Sequence, residues 1–517
     1  MSARLLPDFR RVAVASSLHG PALLFAGVCL AVGAVRYGIL VAPGAPATVD
    51  SGNWLSLGHR LLGDEVRSSD VVYPPAVPLL VSGVVALLGP VRGVGLVGAL
   101  SSLAPAVGVF VVLRWAGLRW AAAGIAALLL PAASVGEAAA WGGFPQLIGL
   151  GLTPPFLWQL DSFRRTGSRG AALGSGLLLA GVLSTSHFVA VFAVSAGVLV
   201  IVLGASLGRR DSAGSPSRRL GGLLLVVLPS LPLAPLYLDL SSSLIRTAAQ
   251  ESGPVAAAVW DQAQFVFRDL YAAWMAVAAL SVVTPALLAD RRRSPLWTVT
   301  TSLLLAVAVT FAVVGTDRVV YLAIPAIVLS LGLWPVAFSD LPSHALRRLR
   351  RGAPVVLAAF LAAQGIFGLS LFPRQRDSYR VLSPGMVSAL KWLRTETPSA
   401  SIVATPAYRD VPFGWWVEGL GRRPSLTASP LRWLYFENER ERARVANDIF
   451  RDDAPTPATL AAARAGGANY VLVPKGWDRY SPSGAERLRQ EAPDLVAYES
   501  PAAIIVRVTP LGTPEGS

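Results

Sequence analysis

The chain has a single cysteine, Cys29, among its 517 residues. One thiol excludes an intrachain disulfide framework and any zinc site built from paired cysteines. Lysine is nearly absent: Lys391 and Lys475 are the only two, so almost all positive charge is arginine. Charge as a whole is scarce. Asp, Glu, Lys and Arg together make up 15% of the residues, where a soluble globular chain carries about 25%. In their place stand hydrophobic residues, at 53%, with a mean hydropathy of +0.54. These totals exclude one large soluble core and point to a polytopic α-helical membrane protein.

The formal net charge of +14 invites a nucleic-acid reading. Its distribution argues against one. Residues 374–517 hold 19 basic and 16 acidic residues, a net of +3, which leaves +11 for the apolar part of the chain. There the arginines fall in short clusters between apolar runs, the pattern of cytoplasmic loops and not of a basic binding stripe.

Apolar runs occur near 21–42, 71–90, 93–113, 119–135, 142–160, 171–186, 188–207, 220–240, 270–289, 296–314, 319–338 and 353–372. Each is close to the length of about 20 residues that a helix needs to cross the hydrocarbon. If all of them cross, Arg164, Arg165 and Arg169 face outward, as do Arg209, Arg210, Arg218 and Arg219. Removing 71–90 resolves the conflict. That run opens on Tyr73-Pro74-Pro75, contains Pro78 and is broken at Gly89-Pro90, as suits an interfacial or re-entrant segment. Eleven crossings then place the N-terminus and every arginine cluster in the cytoplasm. The loops 43–92 and 241–269, and everything after 373, fall outside. The 241–269 loop, with Trp260, Phe265 and Phe267 among polar residues, reads as holding an amphipathic surface helix.

From residue 374 the composition becomes that of a soluble α/β domain of ordinary size. Met386–Glu396 reads as a helix begun at Ser383-Pro384. Ser401–Thr405 reads as a strand. Thr459–Ala465 and Asn469–Pro474 read as helix, Gly-Gly turn and strand. Leu495–Glu499 and Ala502–Val508 read as a hairpin around Ser500-Pro501. No GxGxxG or P-loop occurs in this part, so no nucleotide is assigned to it.

The residues that can carry chemistry gather in the outer turns. Asp50 lies in Ala47-Thr48-Val49-Asp50-Ser51-Gly52-Asn53-Trp54, eight residues beyond the first span. A carboxylate there can act as general base on a sugar hydroxyl, or can be a solvated loop acid. Glu137 lies in Gly136-Glu137-Ala138-Ala139-Ala140-Trp141-Gly142-Gly143-Phe144-Pro145-Gln146, a turn too apolar for a casual surface loop. An ionisable group at membrane depth suggests function; the alternative is an acid favoured by a helix start. His187 marks a third outer turn and Asp317-Arg318 a fourth. Arg318 can hold a phosphate bidentately or pair structurally with its neighbour. Tyr73, Trp141 and Gln146 border these turns. In the soluble part, Gly414-Trp415-Trp416-Val417-Glu418 sets rings beside an acid. It suits either carbohydrate, with Trp416 and Glu418 as contacts, or aromatic packing at the interface.

Asp50 in the first outer loop, Tyr73-Pro74-Pro75 opening the next segment, Glu137 in the second outer loop, and some eleven spans before an outer C-terminal domain make up one arrangement. It resembles the GT-C superfamily of membrane glycosyltransferases. The resemblance implies a polyprenyl-phosphate-sugar donor, a glycan or other acceptor, a multi-pass protein of the plasma membrane, and chemistry on the outer face. It implies Asp50 as catalytic base or metal contact and Glu137 as the assisting acid. A magnesium or manganese ion, if one is used, then has Asp50 and Glu137 as ligands. Beside these, His187, Arg318, Tyr73, Trp141, Gln146, Trp416 and Glu418 are the candidate substrate contacts read from the residues themselves. Domains are expected at 1–373 and 374–517. Two other readings remain at this stage: a non-catalytic membrane scaffold, and a transporter of lipid-linked glycans. Transport calls for charged groups at the midplane, whereas here they lie in outer turns.

Overall fold

The computed structural model describes residues 9–63, 73–206, 216–238, 294–314, 319–334, 363, 366–406, 413–428, 437–450, 455–475 and 482–508. Arg318, the loop 241–269, the expected span 270–289 and most of 353–372 lie outside them.

The described part is mostly helical. Helix α1 spans Phe9–Val41, α2 Ser51–Leu62, α3 Ala76–Leu88, α4 Pro90–Ser101, α5 Ala104–Trp115, α6 Arg119–Ala127, α7 Ala133–Trp141, α8 Phe144–Thr166, α9 Arg169–Thr185, α10 His187–Ser206, α11 Pro216–Val227, α12 Pro295–Val314 and α13 Val319–Ser330. Four described segments are long and apolar enough to cross a membrane: Gly20–Val41, Pro90–Trp115, His187–Ser206 and Leu220–Leu238. Ala76–Leu88, Pro295–Thr310 and Tyr321–Ser330 are shorter apolar helices.

Two stretches differ from the sequence expectation. The first outer loop is not irregular throughout, because Ser51–Leu62 folds as helix α2. Residues 119–135 are not one span. Helix α6 stops at Ala127, and α7 starts only at Ala133. Pro131 lies in the break; it lacks an amide donor and disfavours helical backbone at the residue before it. Glu137 therefore stands on a short helix and not in a loop.

Helix α8 organises the molecule from end to end. Its 23 residues run about 33 Å, close to the thickness of the hydrocarbon. At its C-terminal end the fully buried Asp161 binds Arg164 and Arg165, each at 2.8 Å. At its N-terminal end, about 30 Å away, the two-residue turn Gly142-Gly143 joins it to α7. A helix over 366–378 then returns along the bundle. Arg376 donates to Ile39 O at 2.9 Å and Gln375 to Ala133 O at 3.1 Å, while the buried Arg36 packs over the Phe372 ring.

The C-terminal part is α/β. Helix α14 (Pro384–Glu396) starts where Ser383 accepts from Met386 N. Strand β1 (Val403–Ala404), α15 (Phe413–Gly419), α16 (Glu437–Ile449), α17 (Pro457–Ala465), β2 (Tyr470–Pro474), α18 (Pro482–Glu491), β3 (Val496–Glu499) and β4 (Ala503–Arg507) follow. The strands form one sheet in the order β1-β2-β4-β3. β1 runs parallel to β2; β2–β4 and the β3–β4 hairpin are antiparallel. One continuous apolar cluster runs from Trp54, Val81 and Phe144 to Leu390, Trp416 and Ile505. The α/β part thus packs on the turns that carry the candidate residues.

Candidate active site

Asp50 is the N-cap of α2, but its side chain makes no capping hydrogen bond to that helix. Its backbone is fixed from outside. Asp50 N–H donates to Trp141 O at 2.9 Å, and its own carbonyl accepts from Trp54 N–H. The partner turn is shaped for this contact. Gly142 has φ +99°, and a Cβ there would lie 3.0 Å from Asp50 Cβ. A side chain at 142 would meet both the left-handed backbone penalty and the aspartate. The indole of Trp54 closes the junction by donating to Gly142 O at 2.8 Å. The first and second turns are therefore locked backbone to backbone, with Asp50 at the seam.

Trp54 continues the site on its other side. Its ring lies 5.0 Å from Tyr73, Tyr73 meets His187 edge-on at 5.1 Å, and His187 meets Tyr237 edge-on at 5.7 Å. Such edge-to-face pairs hold rings in register. The Tyr237 hydroxyl is fixed to Leu183 O at 2.7 Å. Trp141 in turn approaches Tyr321, at 6.4 Å. Side chains from six separated stretches so converge near the Gly142-Gly143 end of α8.

Glu137, on α7, accepts from the Tyr379 hydroxyl at 2.8 Å. Gln146, on the first turns of α8, is buried, and among the described residues its Oε1 has no hydrogen-bond partner. A buried, unmatched acceptor is costly in a resting site, and a sugar hydroxyl can supply the missing donor. Among the described residues no group of three His, Cys, Asp or Glu side chains converges as a metal site.

Trp416 and Glu418 occupy a different position. Trp416 is fully buried, with its ring against Gly52, where a Cβ would stand 2.8 Å from it. Glu418 is also buried. It accepts from Ser56 Oγ at 2.6 Å and Ser425 N at 3.3 Å, and it pairs with Arg60. Helix α15 is thereby clamped onto α2, directly behind Asp50, and these two side chains form that contact.

The structure brings Asp50, Tyr73, Trp141 and His187 into one connected set, with Glu137 and Gln146 on the helices that flank the Gly142-Gly143 turn. It adds Trp54, whose place four residues after Asp50 becomes informative only once α2 is known to be helical. It also adds Tyr379, for which no local signal exists.

No protein-family model and no curated protein sequence matches the chain. Its fold is similar to that of ArnT from Cupriavidus metallidurans. The apo structure aligns with TM-score 0.57 and 16% identity, covering 96% of this chain and 99% of that one. The structure of ArnT bound to undecaprenyl phosphate aligns with TM-score 0.60 and 17% identity, covering 95% and 98%. The chain shares the fold of these ArnT structures over nearly its whole length.

Proposed function

We propose that this protein is an inverting membrane glycosyltransferase that moves a sugar from a polyprenyl-phosphate donor to a glycan or other acceptor at the outer face of the plasma membrane. The observation that carries this reading is the seam between Asp50 and the Trp141-Gly142 turn. It holds a carboxylate that does not cap its own helix beside a partly apolar, aromatic-lined junction. The ArnT structure with undecaprenyl phosphate shows that a protein of this fold takes such a lipid.

In the proposed reaction Asp50 accepts the proton of an acceptor hydroxyl. That oxygen bonds to the anomeric carbon from the face opposite the phosphate. The bond between that carbon and the phosphate oxygen breaks, and the lipid phosphate leaves with the electron pair. Glu137 and His187 shape the acceptor side, and Gln146 takes a sugar hydroxyl. Tyr73 and Trp141 supply ring faces. Arg318 is assigned to the leaving phosphate on charge alone. Trp416 and Glu418 support α2 from behind. The positive-inside rule supports a cytoplasmic position for the Arg164 and Arg165 end of α8, and with it an outer position for the Asp50 end.

The test uses the full chain in nanodiscs. Mass spectrometry identifies any co-purified polyprenyl-phosphate sugar, and transfer from it is followed with a labelled sugar. Asp50→Asn is expected to bind donor, to melt like wild type, and to lose turnover by about a hundredfold or more. Normal turnover in that variant removes the base. Donor binding without turnover in the wild type favours a scaffold.

A further inference from the structure

Three helices end at one place beside the α2–α15 contact. The last turn of α2 carries His59 and Arg60, the last turn of α14 carries Arg394, and Arg422 and Arg423 follow α15. Cations are ordinary at helix C-termini, and Arg423 is explained in that way. It is buried and donates to Thr397 Oγ1 at 2.8 Å, Arg394 O at 2.7 Å and Arg422 O at 2.8 Å. Arg60 is explained by Glu418.

Arg394 and Arg422 also sit at helix C-termini, but nothing described engages their side chains. Both are exposed, and among the described residues neither forms an ion pair or a side-chain hydrogen bond. Both raise the positive potential at His59, and Arg394 raises it at Arg422. Among the described residues the acid within the cluster, Glu418, is already engaged by Arg60, Ser56 and Ser425.

The backbone adds a second observation. Arg422 has φ +52° and is the one non-glycine residue with positive φ among those described. The turn leaves it no choice. A Cβ at 421 would stand 2.6 Å from Val417 O, so glycine is required there and the left-handed residue falls one position later. Glycine or asparagine is the comfortable occupant of such a position. An arginine accepts the strain, and strain of this kind concentrates at ligand sites.

We propose that Arg394 and Arg422, with His59 beside them, form a binding site for a phosphate ester group at the junction of α2 and the α/β part. Guanidinium forks match phosphate oxygens bidentately, and a bound dianion removes the repulsion between the two arginines. The site lies on the side of α2 that faces the α/β part, away from the Asp50 seam, and does not depend on the transferase reading. The phosphate can belong to an anionic lipid headgroup or to a phosphorylated ligand from the aqueous side.

The test measures the unfolding midpoint of the full chain in phosphatidylcholine nanodiscs titrated with inorganic phosphate at fixed ionic strength, against chloride. A second arm replaces part of the phosphatidylcholine with phosphatidylglycerol. Saturable stabilisation by inorganic phosphate assigns an aqueous source; stabilisation by phosphatidylglycerol alone assigns the headgroup. In both arms Arg394→Gln with Arg422→Gly is expected to weaken the effect by about tenfold or more. Glycine suits φ +52°, so Arg422→Gly alone is expected to melt no lower than wild type without phosphate. Equal melting in phosphate and chloride together with no response to phosphatidylglycerol overturns the proposal, as does full affinity in the double variant.

Discussion

The Tyr379 hydroxyl donates to Glu137 at 2.8 Å across 242 residues of sequence. Tyr379 stands just past the helix 366–378, where the chain leaves the bundle for the α/β part. The same helix is tied to α1 through Arg376 and to the start of α7 through Gln375. The orientation of Glu137 is thus set by the element that enters the α/β part. Tyr379→Phe keeps the ring and removes the donor. On the proposed function it is expected to lower kcat by about tenfold, with KM changed little and the acid limb of the pH–rate profile moved. A simple structural role predicts a lower melting temperature and an unmoved profile.

Gly142 is the steric partner of Asp50. Gly142→Ala must hold φ +99° with a methyl 3.0 Å from Asp50 Cβ. The backbone penalty is about 1–2 kcal/mol, and relief is available only by pushing Asp50 off Trp141 O. The expected result is a small drop in melting temperature and a much larger loss of transfer, read from the same preparation. If the two losses scale together, the seam serves folding alone.

Glu418 separates packing from sugar binding. Its carboxylate is met by Ser56, Ser425 and Arg60. Glu418→Ala removes the carboxylate that meets Arg60, Ser56 and Ser425 at a largely buried contact, a loss of about 2–3 kcal/mol for hydrogen bonds to charged groups. Glu418→Gln retains the shape and is expected to lose less. Both losses appear as lower melting temperatures without any sugar present. A change confined to KM for the acceptor returns Glu418 to the role of sugar contact.

Much of the architecture was legible because it is locally encoded. Ser383 begins α14 through its own hydroxyl, and Ser500-Pro501 turns the β3–β4 hairpin. The outer turns could be grouped because charge is so rare here that each Asp, Glu or His between apolar runs stands out. Pro131 is a single local signal inside an otherwise apolar run, so the break between α6 and α7 shows only in the structure. Ser56 with Glu418 and Tyr379 with Glu137 were not legible. Each pair is separated by hundreds of residues, and neither side chain carries a local pattern. Trp416 was ambiguous for a physical reason, since a tryptophan beside an acid looks alike whether it meets a sugar or a glycine on a neighbouring helix.

His59 makes the α2–α15 junction pH-sensitive. Its pKa is pushed down to about 4, first by burial, then by the charge of Arg422 and Arg394, against a hydrogen bond with the Gly419 backbone that raises it. The unfolded chain binds this proton near 6.5. Above that value both states hold the imidazole neutral, and the junction keeps its full stability. As pH falls from about 6.5 toward 4 the unfolded state takes the proton first, so stability declines through that window. The full shift is discounted because His59 is only partly buried and water screens it, which leaves about 1–2 kcal/mol. Thermal unfolding of the full chain at pH 7.5 and pH 4.5, wild type against His59→Gln, isolates the term. The variant is expected to match wild type at the higher pH and to lose less at the lower one. Equal losses in the two proteins assign the acid sensitivity to other groups.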